Sequence, residues 1–187
     1  MSKKTNKILI IGSAPDSVSA SNWKNFIFNN IVVINNAWKI RKDWTNCIYP
    51  EDFPINKRPK KVNQKQTLHS ADDYVKAQNH FGGFVYAGGT MAFTAGYWAL
   101  YKFKPHIIYY KGCDMVYKGE KTHFYGKGTA DPLRKDKTLK NLLAKSGLSN
   151  LSATVLATLL KAILGVSSGN KYPLDIVAKD TSFIHSG

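Results

Sequence analysis

At 187 residues and 20.9 kDa the chain has the length of about one domain, and 43% hydrophobic with 12% aromatic content excludes general disorder, collagen-like repeats and coiled-coil fibres. The 27 basic residues exceed the 12 acidic ones by a net charge of +15, which favours anionic ligands through the long-range field. Two cysteines, Cys47 and Cys113, are too few for a disulfide scaffold and fit a reducing, cytoplasmic setting.

Residues 1–7 are polar and lead straight into the apolar run 8–11, without the apolar stretch of a secretion signal. Further apolar runs follow at 31–34, 47–49, 84–86 and 107–110, with amphipathic segments between several of them. Runs that are hydrophobic throughout, such as Ile31-Val32-Val33-Ile34, suit strands covered on both faces. The pattern therefore predicts an α/β fold, a Rossmann-like open three-layer sandwich around a mostly parallel sheet. Residues 1–187 read as a single nucleotide-binding domain, with long loops at 50–66 and 118–137 and a tail at 180–187. The first loop, with Pro50, Pro54, Pro59 and many lysines, reads as a mobile flap. The apolar stretch 155–166 contains Lys161 and is too short to span a bilayer, so it reads as a helix for which a membrane-surface position stays open.

Four motifs carry chemistry. In Gly12-Ser13-Ala14-Pro15-Asp16-Ser17 a strand runs into a glycine turn and a predicted helix, whose N–H groups suit a phosphate. It lacks the three glycines of the dinucleotide fingerprint and the lysine of a P-loop. In Asn35-Asn36 the second strand ends in two carboxamides that can donate to and accept from a base or ribose, with Asn35 the preferred contact and helix capping the competing role. Gly88-Gly89-Thr90 opens an apolar helix and lets a phosphate or base approach; tight helix–sheet packing is the alternative. Finally, Lys111-Gly112-Cys113-Asp114 ends the strand at 107–110, and His123 follows nine residues after Asp114 in a glycine-flanked loop, with Tyr117 and Tyr125 around it. His123 is the natural general base, Asp114 can orient it or hold ribose or a metal, and Lys111 and Arg134 are candidates for a phosphate or acceptor. The remaining histidines and the two cysteines share no zinc spacing, so no metal site is expected.

In their order, the turn at 12–17, Asn35-Asn36, Gly88-Gly89-Thr90 and the Gly112-x-Asp114 strand end with His123 beyond resemble the bacterial family 42 sialyltransferases and the wider set of motility-accessory-factor and pterin-pyrophosphokinase-like proteins. The similarity is one of motif order over residues 7–126. It implies a Rossmann-like domain that binds a CMP-sugar without a metal needed for chemistry, with Gly12 and Ser13, Asn35, and Gly88, Gly89 and Thr90 around the nucleotide. The motifs themselves add Pro15, Asn36 and Gly112 as candidate nucleotide contacts and leave a UDP-sugar open as donor. His123 would act as base and Tyr117 or Tyr125 would support the departing phosphate. The chain departs from that family in being shorter and in carrying His123-Phe124-Tyr125-Gly126 close behind the strand.

The resulting expectation is a nucleotide-sugar-dependent glycosyltransferase acting on a glycan or protein acceptor, cytoplasmic or peripheral to a membrane. Its rivals are a Mg²⁺-dependent pterin or nucleotide pyrophosphotransferase, with the metal at Asp114, and a non-catalytic nucleotide- or nucleic-acid-binding module. Scattered lysines without an arginine-rich stripe speak against nucleic acid as the main partner.

Overall fold

A computed structural model describes residues 5–81, 91–113, 120–128 and 175–177. Six strands, β1 (Lys7–Ile11), β2 (Asn30–Ile34), β3 (Asn46–Ile48), β4 (Thr67–His69), β5 (Ile107–Lys111) and β6 (Asp175–Val177), pair in the order β4-β3-β2-β1-β5-β6, all parallel. The α/β, Rossmann-like class expected from the sequence is thus the observed one. The strand expected at 84–86 lies outside the described residues.

β1 is buried on both sides. Ile8 and Ile10 join Val32, Ile34, Ile48, Ile108 and Tyr110 in a core under the helices α1 (Ala71–His80) and α2 (Met91–Phe103). Leu9 and Ile11 join Ile31, Val33 and Cys47 in a second core on the opposite face, covered by Ala20, Trp23, Phe28, Trp44 and Phe53. The alternation follows from the two-residue period of a strand, and apolar residues at every position are what a central parallel strand requires.

The helix predicted after Gly12 covers the second core as a 3₁₀ helix at Pro15–Asn22. Ser17, Ser19 and Ser21 each donate their hydroxyl to the carbonyl three residues earlier, at 2.6, 2.9 and 2.7 Å. Such local bonds give the backbone an alternative to the α-helical ladder. Further 3₁₀ turns at Asn25–Ile27, Asn35–Lys39 and Ile55–Lys57 complete this layer. Arg41 ties it together, gripping Asp43 through two bonds and donating to the Ala20 carbonyl. The guanidinium holds the Asp43 carboxyl below its usual range.

Side chains tie the 50–66 loop to its surroundings. Arg58 donates to the Phe53 and Glu51 carbonyls and stacks over the Tyr49 ring, while Trp38 donates its indole N–H to the Lys57 carbonyl. Phe53 and Pro59 are buried. Among the described residues no helix is long and apolar enough to cross a membrane.

On the helical face, His69 ends β4 beneath α1. Its Nε2 lies 3.0 Å from Asn46 Oδ1, its ring packs on Trp98, and Asp73 stands 3.4 Å from Nδ1. Asn46 spends its amide hydrogens on Thr45 and Asn30, so its oxygen accepts and the neutral ring carries its proton on Nε2. Burial pushes the His69 pKa down; Asp73 pulls it up, and Lys102 pushes it down. A depressed folded value means that the unfolded chain takes up the proton first. The stability contribution is therefore full above about pH 6.5 and is lost as pH falls from there toward the folded value. Urea unfolding at several pH values should show this loss in the native chain, and His69→Gln, which keeps a donor for Asn46, should flatten it.

Candidate functional site

The chain order of the sheet reverses at β1, with β2 on one side and β5 on the other. In open α/β sheets ligands bind outside the carboxyl ends of the strands at such a point. Gly12 follows β1 there, Asn35 and Asn36 follow β2, Lys111 ends β5 with Gly112 next, and the segment 120–128 folds over the same edge.

β1 and β5 stay joined beyond their paired residues. Gly12 donates its N–H to Lys111 at 2.8 Å, and Ala14 donates to Gly112 at 3.0 Å. A Cβ on Gly12 would stand 2.2 Å from the Gly112 carbonyl oxygen and 2.6 Å from Cys113 Sγ. Gly112 has φ +70°, and a Cβ there would stand 2.4 Å from Cβ of Ser17. These glycines serve backbone-to-backbone approach, so the Gly12 N–H expected to meet a phosphate is already committed to β5. Lys111, expected at a phosphate or acceptor, is a second correction. It is 5% exposed and its ammonium pairs with Asp16 at 2.5 Å. A buried cation needs such a partner, and Asp16 supplies it from the 3₁₀ helix.

The next part of the edge lies at the end of β2. Asn35 occupies the left-handed region at φ 53°, which asparagine tolerates better than most residues. Asn36 is 6% exposed, and the Oδ1 atoms of both residues are buried with no hydrogen-bond partner among the described residues. Phe124 donates its N–H to the Ser13 carbonyl at 3.0 Å, which docks the 120–128 segment on the β1 turn. Asn36 hydrogen-bonds Tyr125, opposing the upward push of burial on the phenol.

Within that segment, His123 and Gly126 exchange backbone hydrogen bonds at 2.9 and 3.0 Å, which turns the chain tightly and stacks the His123 ring on Tyr125 at 5.0 Å. Thr122 Oγ1 lies 2.9 Å from His123 Nδ1 and accepts the Gly128 N–H. Burial lowers the His123 pKa, so the imidazole is neutral at physiological pH.

The structure therefore gathers Gly12, Ser13, Pro15, Asn35, Asn36, Gly112, His123 and Tyr125 at one edge. Gly88, Gly89, Thr90, Asp114, Tyr117 and Arg134 lie outside the described residues. Two contributors escaped the sequence reading. Thr122 holds the His123 ring and was legible only as its neighbour; Asp16 meets Lys111 across 95 residues, with no local signal. The Cys47 thiol, pushed up to about 12 by burial, is unsuited to thiolate chemistry at neutral pH. Among the described residues no three His, Cys, Asp or Glu side chains are grouped to hold a metal ion.

Gly12→Ala should destabilise the fold by about 2 kcal/mol or more, because its Cβ meets backbone that cannot swing aside. Thermal or denaturant unfolding would read this, and a change within about 0.5 kcal/mol would refute the close β1–β5 contact.

Comparison of the chain with protein-family models, with curated proteins and with solved structures returns no match.

Proposed function

We propose that the protein is a glycosyltransferase that binds a nucleotide-linked sugar, such as a CMP- or UDP-sugar, along the carboxyl edge between β1 and β2. The observation that carries this reading is the pair of buried, unpartnered Asn35 and Asn36 oxygens beside a docked loop bearing a neutral histidine. An unsatisfied buried acceptor is costly, and ribose or sugar hydroxyls, or the N–H groups of a base, supply the missing donors.

His123 takes the role of general base. This role uses the tautomer with the proton on Nδ1, facing Thr122 Oγ1 at 2.9 Å, so that Nε2 accepts the hydroxyl proton and Thr122 is the positioning residue. An acceptor hydroxyl attacks the anomeric carbon while the bond from that carbon to the phosphate oxygen breaks. The nucleotide leaves with the electron pair and the hydroxyl proton passes to His123. Tyr125, bonded to Asn36, stands beside the same edge to support the departing group. Two buried thiols support a reducing, cytoplasmic setting.

Equilibrium binding tests the site. CMP or UDP should bind saturably with no divalent ion present. Asn35→Gly, which keeps the left-handed backbone and removes the carboxamide, should weaken that binding by about 1–3 kcal/mol at unchanged thermal stability. Equal affinity in the variant would make Asn35 a purely structural turn residue.

Catalysis tests the base. His123→Ala should lower turnover by about 10²–10⁴-fold and leave nucleotide affinity nearly intact. The acidic limb of the native pH–rate profile should fall below the ordinary histidine value of about 6.5, as burial dictates. Turnover within about threefold of the native rate would remove His123 from the mechanism.

A further inference from the structure

The two glycines that follow His123 in its loop answer to different constraints. Gly126 sits at φ +113°, and a Cβ built on it would meet nothing within 4 Å. Its missing side chain serves the backbone of the His123–Gly126 turn. Gly128 has no positive φ, so its own backbone angle does not call for glycine. A Cβ there would nonetheless stand 2.4 Å from His123 Nδ1, 2.6 Å from Cε1 and 2.9 Å from Cγ.

Cγ, Nδ1 and Cε1 are consecutive atoms of the imidazole. An edge-on approach to Nδ1 would leave its two ring neighbours clearly farther away than these distances, so Gly128 lies over the ring face at its Nδ1 end. A side chain and the imidazole cannot both occupy that space, since all three distances fall inside van der Waals contact. The same residue reaches Nδ1 a second way. Its N–H donates to Thr122 Oγ1 at 2.9 Å, and that oxygen lies 2.9 Å from Nδ1. Tyr125, the titratable group stacked on the ring, packs with its plane at 28° to the imidazole.

We infer that Gly128 is a positioning residue for His123: its bare Cα leaves the space in which the imidazole lies, and its N–H holds the Thr122 oxygen against Nδ1. The group that a new Cβ would meet is the end of a rotatable side chain, so Gly128→Ala displaces the ring and does not need to move the backbone. Turned away from Thr122, the ring carries Nε2 off its line to the acceptor hydroxyl. A misplacement of about 1 Å costs on the order of 10²-fold in rate. The effect on rate rests on the reading of His123 as general base, whereas the effect on the ring does not.

Imidazole NMR of the full chain, with His123→Ala used to assign the resonances, tests the placement without any substrate. In Gly128→Ala the His123 ring should lose the ring-current shift from Tyr125 and titrate nearer the ordinary value of about 6.5, because the burial that lowers its pKa is relieved. Turnover of a CMP- or UDP-sugar should fall about 10²-fold at unchanged affinity for CMP or UDP. Adding Gly128→Ala to His123→Ala should cost no further turnover, since an absent ring cannot be displaced. Unmoved resonances and titration of His123 in Gly128→Ala would overturn the inference. So would an equal loss of turnover with and without the imidazole, which would make Gly128 a backbone residue like Gly126. Should Gly128→Ala fail to fold, the double variant decides: folding regained once the ring is gone supports the inference, and continued failure refutes it. Turnover that ignores His123→Ala while the Gly128→Ala spectrum shifts would sink the transferase reading alone and leave the placement of the ring standing.

Discussion

The carboxyl edge of the sheet is organised by the contact of two glycines. β1 and β5 remain hydrogen-bonded past their last paired residues, through Gly12 to Lys111 and Ala14 to Gly112, because neither glycine carries a side chain to hold the backbones apart. The strand ends are closed against each other there, and the 3₁₀ helix that follows is seated on β5 by the Asp16–Lys111 pair. The neighbouring stretch, where β2 ends in Asn35 and Asn36, is where buried carboxamide oxygens collect.

To that edge the chain brings His123, held by a set of loop contacts. The His123–Gly126 turn places the ring, Thr122 contacts its Nδ1, and the Phe124–Ser13 bond docks the loop on the sheet. Burial works in one direction on both partners of the stacked pair: it favours neutral imidazole in His123 and neutral phenol in Tyr125. The site is therefore short of fixed positive charge among the described residues. Asn35 and Asn36 provide hydrogen-bonding capacity in place of charge, a polarity suited to orienting hydroxyls more than to neutralising phosphate.

Strands buried on both faces were legible because every residue must be apolar, and β1, β2 and β5 announce themselves as unbroken runs. β4 escaped notice. It is a three-residue edge strand, Thr67-Leu68-His69, whose buried member is a histidine stabilised by Asn46 and Trp98, partners distant in sequence. A helix after Gly12 was legible, but its 3₁₀ form rests on Ser17, Ser19 and Ser21, whose hydroxyls bond carbonyls three residues back. Lys111 looked like a ligand group since its position at a strand end is visible in the sequence and its pairing with Asp16 is not. The grouping of Asn35, Asn36 and His123 was legible in motif order, but their mutual support through Tyr125 and Ser13 depends on loop docking that no local pattern encodes.

The place of β1 in the sheet has a consequence for how the chain is made. Its β2 edge is satisfied by residues that follow within about one crossover, but its other edge waits for Ile107–Lys111. During synthesis, one side of the most apolar strand stays unpaired until those distant residues leave the ribosome, a long-range closure that slows folding. A nascent chain with an open parallel edge of Ile-Leu-Ile-Ile is a template for other chains, so its future centre is its exposed border until β5 arrives.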